Sequence, residues 1–136
     1  MSGDIEVREA LPGERGIVLS LVDRLLLELD VVGDRFTAFL AMAGSGEAVG
    51  VTTLVETFAL YAGGRYGVID EMYVAPPWRS QGVGGRLIEA VAASGRRRGW
   101  RRIDVTAPPE PRFERTVRFY QSQGFVFTGP KLRLML

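Results

Sequence analysis

The 136-residue chain contains neither cysteine nor histidine, and Lys131 is its only lysine. Without thiols there is no disulfide framework and no cysteine nucleophile. Without imidazole there is no Ser-His-Asp triad and no usual zinc site, so no metal is expected. No apolar run approaches the roughly 18–20 residues that span a bilayer. The opening "MSGDIEVREA" lacks the basic and apolar regions of a secretory signal, so the cytoplasm is the expected compartment and no membrane partner is expected. Net charge is only +1, which argues against nucleic acid as a partner. The near-exclusive use of arginine over lysine reads as codon bias in a GC-rich, bacterial genome. Any chemistry must therefore come from carboxylates, tyrosines, hydroxyls, arginines and backbone amides.

With 46% hydrophobic and 24% charged residues, the composition is that of a globular chain, and its length suits one domain over residues 1–136. "DIEVREA" at 4–10 alternates like a strand. Residues 13–30 carry Ile17, Leu21, Leu25 and Leu29 at helical spacing. "FLAMA", the turn "GSGE" and "AVGVTTLVETFALYA" read as a hairpin, and "YGVIDEMYV" at 66–74 as the next strand. Residues 83–98 form a helix with Leu87, Val91 and Ser94 on one side, ended near Gly99. "RRIDVTA" is a strand, "RFERTVRFYQSQ" a helix capped by Gly124, and "FVFT" and "LRLML" two short closing strands. The order β-α-β-β-β-α-β-α-β-β implies an α/β chain whose sheet is partly antiparallel and partly parallel.

The stretch "VAPPWRSQGVGGRLIEAV" at 74–91 places Gly82, Gly84 and Gly85 where a strand passes into a helix. One glycine would suffice for a turn. Three leave a row of backbone N–H groups uncovered at the positive end of a helix dipole, with Arg79 and Arg86 beside it, which suits an anion such as a phosphate. No Lys-Ser/Thr pair follows, as a nucleotide triphosphate loop requires. Leu87 stands where a dinucleotide fingerprint wants its third glycine.

The spacing V-x-P-x-x-R-x-x-G-x-G is filled by Val74, Pro76, Arg79, Gly82 and Gly84. It resembles the acetyl-CoA-binding signature of the GNAT N-acetyltransferase superfamily. "FYQSQGF" at 119–125 is similar to that family's F-Y-x-x-x-G-F segment, and the order of elements agrees along the whole chain. The resemblance implies a mixed, mostly antiparallel sheet with a splayed parallel central pair, flanked by helices. It implies acetyl-CoA as acetyl donor. Its pyrophosphate would meet the loop of Arg79, Ser80, Gln81, Gly82, Val83, Gly84, Gly85 and Arg86, and its pantetheine would pair with the backbone of Met72, Tyr73 and Val74. It further implies direct transfer of the acetyl group to a primary amine, a small molecule or a peptide, with Tyr120 acting on the coenzyme sulfur. The family alternative is a catalytically silent module that binds an acyl-CoA without turnover. A homodimer is common in the family.

Asp70 and Glu71 are consecutive acids in an otherwise apolar strand and are both candidate bases; simple alternation would point them to opposite faces. Phe113 and Thr116 depart from the asparagine and alanine often found ahead of the family's tyrosine. The acceptor side is assigned to residues 20–36 and the strand 51–61, where Asp23, Glu28, Asp30 and Glu56 could face a cationic amine and Phe58 and Tyr61 could form walls. "RRRGWRR" at 96–102 reads as solvated cations at a helix C-terminus, with a contact to the coenzyme's 3′-phosphate left to geometry.

Overall fold

A computed structural model describes residues 3–23, 36–107, 111–129 and 131–136. The chain divides into two compact units, Met1–Thr106 and Ala107–Leu136. In the first, β1 (Ile5–Glu9) leads through a single 3-10 turn to α1 (Arg15–Asp23). Three strands follow, β2 (Phe36–Ala43), β3 (Ala48–Ala59) and β4 (Gly64–Val74), then α2 (Val83–Arg97) and β5 (Ile103–Val105). The strands lie in the order β1-β2-β3-β4-β5. All neighbours are antiparallel except β4 and β5, which run parallel.

Both faces of this sheet are covered, and the sequence of β3 reflects it. Val49, Val51, Thr52, Thr53 and Leu54 are all fully buried, an unbroken run rather than an alternation. α1 covers one face, where Val18 and Leu21 pack with Ala38, Leu40 and Val51. Its buried stripe starts at Val18 and not at Ile17, which is 41% exposed; Leu25 and Leu29 lie outside the described residues. α2 covers the other face with Leu87, Val91 and Ser94 buried on one stripe, as the spacing predicts. A Cβ at Gly50 would lie 3.3 Å from Val83, so glycine lets the helix start close to the sheet.

Past α2 the chain turns at Gly99, in the left-handed region at φ 78°. Trp100 then folds back between Gly95 of α2 and Gly67 of β4. A Cβ at Gly67 would come within 2.3 Å of the indole, and one at Gly95 within 2.7 Å. The indole Nε1 donates to Glu56 at 2.6 Å, so the ring's polar edge is satisfied. Glu56 is thus engaged in the fold through one of its carboxylate oxygens.

The second unit carries α3 (Glu114–Ser122), preceded by a 3-10 turn at Pro111–Phe113. The helix stops as its sequence directs. Gly124 takes φ 98°, its N–H donates to the Gln121 carbonyl at 3.0 Å, and the Phe125 N–H donates to that of Tyr120 at 3.1 Å. Those two bonds make a Schellman motif, and the rings of Tyr120 and Phe125, 5.3 Å apart, supply its hydrophobic contact. The strands expected at 125–128 and 132–136 are not formed. The described residues there have no regular secondary structure, and Val126, Phe127, Leu132, Leu134, Met135 and Leu136 are exposed. Apolar alternation specifies a strand only where a neighbouring strand takes up its backbone bonds and a face covers it.

Candidate active site

The end of β4 is built differently from its beginning. Its ladder with β5 covers only Gly67↔Ile103 to Ile69↔Val105. Beyond it, Glu71, Met72, Tyr73 and Val74 pair with Thr53, Thr52, Val51 and Gly50 of β3, and β3 is their one strand neighbour among the described residues. The parallel pair therefore parts at the point where the resemblance calls for backbone contacts from Met72–Val74.

The register also shifts there. Leu54 faces Ile69 and Thr53 faces Glu71, which leaves Asp70 as an extra residue, a bulge. The bulge overrides the alternation expected from sequence. Asp70 and Glu71 both oppose Thr53, so they come to the same side of the strand instead of opposite faces. Asp70 is exposed, whereas Glu71 is half-buried. Burial, and next the charge of Asp70, push the Glu71 carboxyl above the usual carboxylate range. The carboxylate makes no hydrogen bond or ion pair among the described residues. The backbone carbonyl of Glu71 is fixed by the buried Thr52 hydroxyl, which donates to it at 2.9 Å.

The loop that follows is held by its own side chains. The Ala75 N–H donates to the Val49 carbonyl, and Pro76–Trp78 form one 3-10 turn with Trp78 buried as a wedge. Arg79 donates through Nε to the Val74 carbonyl at 2.8 Å and lies over the Tyr73 ring at 5.7 Å. Gln81 donates through Nε2 to the Pro77 carbonyl at 2.9 Å. Two of the residues expected to face a phosphate are thus tying the loop into shape. Left-handed backbone occurs at Ser80 (φ 61°) and Gly82 (φ 79°). The Ser80 conformation is not legible from sequence, since a non-glycine residue rarely adopts it.

Gly82 is the N-cap of α2 and supplies no side-chain cap. The first intrahelical bond at this end runs from the Arg86 N–H to the Gly82 carbonyl at 3.1 Å. The amides of Val83, Gly84 and Gly85 come before it and keep their donor capacity. Gly84 and Gly85 are helical, not loop residues. Their lack of side chains bares the first turn of the helix, and Arg86 is exposed beside it. Bare first-turn amides at a dipole's positive end are the donor set a phosphate needs.

Tyr120 belongs to the second unit, where it is buried with its ring against Phe119 (5.2 Å) and Phe125 (5.3 Å). The acceptor residues scatter more widely. Glu28 and Asp30 lie outside the described residues, as does the side chain of Asp23. Phe58 pairs with Arg65, and Tyr61 sits in the adjoining hairpin tip. That tip is the opposite end of the eleven-residue β4 from the glycine loop, ~33 Å away by strand rise. Those two residues are therefore not walls of a cleft beside the loop. The arginine run lies at the far end of the fifteen-residue α2, ~20 Å from its first turn, too far to serve a phosphate bound there. Nor is the run uniformly solvated. Arg98 donates to Thr37 (3.0 Å) and Glu9 (3.1 Å), and Arg102 pairs with Asp104 beneath the rings of Tyr61 and Tyr66. No cluster of acids able to hold a metal, and no helix long and apolar enough to cross a membrane, occurs among the described residues.

Solved structures of similar fold include several acetyltransferases. The aminoglycoside acetyltransferase AAC(6')-Iy, in complex with the bisubstrate analogue CoA-S-monomethyl-acetylneamine, is 20% identical with a TM-score of 0.85, over 98% of this chain and 99% of that one. An aminoglycoside acetyltransferase from an uncultured soil metagenomic sample is 20% identical with a TM-score of 0.82, over 98% and 99%. A ribosomal-protein-alanine N-acetyltransferase from Brucella melitensis is 18% identical with a TM-score of 0.80, over 97% and 99%. At these identities the likeness is one of fold. No curated protein sequence matches the chain. The profile of the acetyltransferase (GNAT) family matches residues 11–125, through the bulged strand, the glycine loop and the F-Y-x-x-x-G-F segment alike, and the chain belongs to that family.

Proposed function

We propose that residues 1–136 are one N-acetyltransferase domain that carries the acetyl group of acetyl-CoA directly to a primary amine. The observation that carries this reading is the bare first turn of α2 behind Gly82, set at the end of a strand whose last residues have, among the described residues, a strand neighbour on one side only. The amides of Val83, Gly84 and Gly85, with Arg86, bind the pyrophosphate. The backbone of Met72–Val74 is left to meet the amide-bearing arm of the coenzyme.

Of the two candidate bases, we assign the role to Glu71. It is half-buried, its carboxylate has no hydrogen bond or ion pair among the described residues, and burial raises its proton affinity, as suits a base. The amine nitrogen, relieved of that proton, attacks the thioester carbonyl. The C–N bond forms, the C–S bond breaks, the leaving thiolate takes a proton from Tyr120, the role the F-Y pair implies, and the proton that the nitrogen sheds on becoming an amide returns to the tyrosine. No covalent intermediate on the protein is needed, in keeping with a chain that has neither cysteine nor histidine. The neighbours suggest two acceptor probes, neamine and a peptide beginning with alanine.

Thermal unfolding with acetyl-CoA, ATP and NADH added separately tests the loop assignment. Acetyl-CoA at about 100 times its dissociation constant stabilises the fold by ~2.7 kcal/mol, and the two nucleotides give no comparable shift. A larger shift with ATP or NADH overturns the assignment. Thiol release on adding either amine then separates an enzyme from a silent acyl-CoA-binding module, which shifts in melting but releases no thiol.

A further inference from the structure

Two adjacent threonines of β3 bracket Glu71. Thr52, on one face, fixes the Glu71 carbonyl. Thr53, on the other, is the direct cross-strand partner of Glu71 and is fully buried, yet its hydroxyl has no hydrogen-bond partner among the described residues. Buried hydroxyls in folded proteins are almost always satisfied, so an orphan beside a reactive group calls for an explanation. Its surroundings offer few candidates. On the β2 side Thr53 pairs with Ala38, whose side chain has no polar atom and whose carbonyl accepts from the Ala10 N–H at 2.8 Å. On the β4 side it faces Glu71, whose carboxylate likewise has no partner among the described residues. Residues directly opposite in an antiparallel pair have Cβ atoms ~5 Å apart, and a glutamate has two further carbons with which to reach back.

We propose that Thr53 is a positioning residue for Glu71, its hydroxyl donating to the carboxylate and holding it toward the substrate amine. This rests on the assignment of Glu71 as the base. The bond forms when the carboxylate is charged, by rotation of the Glu71 side chain. The orphan hydroxyl is then a donor kept in reserve for one state of the carboxylate. The bulge at Asp70 matters here too, because without it the alternation would turn Glu71 away from Thr53.

Thr53→Val keeps the shape and removes the hydroxyl; Thr53→Ser keeps the hydroxyl. Carboxyl-carbon NMR titration of Glu71 reads the contact without any substrate, and Asp70 is common to all variants. Losing a donor to the charged form moves the Glu71 midpoint upward in Thr53→Val, and Thr53→Ser restores it. An unmoved midpoint in Thr53→Val overturns the proposal. Measured in acid, where the Glu71 carboxyl is protonated and the bond to its charged form is absent, the melting temperature of Thr53→Val should not fall, so the variant remains readable. With acetyl-CoA and neamine, kcat should drop roughly tenfold in Thr53→Val, recover in Thr53→Ser, and drop no further when Thr53→Val is added to Glu71→Gln. Equal losses with and without the Glu71 carboxylate would also overturn it. If the midpoint moves but Glu71→Gln keeps full activity, the contact stands and the base assignment fails.

Discussion

Trp100 shows how much of this fold depends on atoms that are missing. Its indole occupies the space that side chains at Gly67 and Gly95 would need, and it brings β4 and α2 together while Glu56 satisfies its nitrogen. A methyl group at Gly67 would sit 2.3 Å from the ring, well inside van der Waals contact, and the neighbour is a buried aromatic with no room to move. Gly67→Ala should therefore destabilise the protein by ~2–3 kcal/mol in urea denaturation, and Gly95→Ala by somewhat less. Combining Gly67→Ala with Trp100→Leu should cost less than the sum of the two, because the clash disappears with the ring. An additive result would place the strain elsewhere. Neither glycine stands out in the sequence, where both look like ordinary strand and helix residues. The pairing became visible only when the fold brought residues 67, 95 and 100 together.

At the scale of elements, the N-terminus of α2 allows the anion-binding reading to be separated from plain helix stability. Gly84→Asp puts a carboxylate in the first turn, where it interacts favourably with the helix dipole and replaces a poor helix former. The ligand-free protein should gain ~0.5–1 kcal/mol. The same charge would lie where the pyrophosphate binds, so the affinity for acetyl-CoA in titration calorimetry should fall at least ~10-fold. A variant that is both stabilised and unimpaired in binding would remove the first turn from the site. The glycine motif was legible because an uncapped helix start needs residues without side chains, and spacing alone records that. The F-Y-x-x-x-G-F segment was legible for a different reason. Tyr120, Gly124 and Phe125 stand at the three positions that a Schellman motif fixes, so this part of the signature stops a helix whatever else the tyrosine does. Gly124→Ala should accordingly cost ~1 kcal/mol, through the positive φ alone. The bulge at Asp70 was not legible. It depends on the register between two strands far apart in sequence, and no local pattern announces it. The closing strands were misread because their alternation is genuine but the partner that would make it a sheet is not among the described strands.

The order of elements through Tyr120 and the mixed sheet followed from periodicity and turn residues, while the two faces of β3 and the pairing of its Thr53 with Glu71 of β4 had to be seen in the assembled molecule. That assembly has a consequence for how stability depends on pH, since two carboxylates pull it in opposite directions. Glu14 accepts a bidentate bond from Arg8, at 2.6 Å on each oxygen, and a third from the Leu11 N–H. These hold its carboxyl down to about 2 from an ordinary 4.5. The folded state binds that proton less readily than the unfolded state, so the stabilisation is complete above pH 4.5 and is lost as pH falls toward 2. Glu71 is raised instead, chiefly by burial, so the folded state holds its proton more tightly. Its contribution declines as pH rises upward from the ordinary carboxylate range. Urea midpoints measured from acid to neutral pH separate the two. Glu14→Gln should be less stable than the parent near neutrality and indistinguishable from it near pH 2. Glu71→Gln should be more stable than the parent near neutrality and converge with it on acidification. A Glu71→Gln protein that is weaker at neutral pH would mean that the interactions of the charged carboxylate outweigh its burial, and would overturn the upward shift.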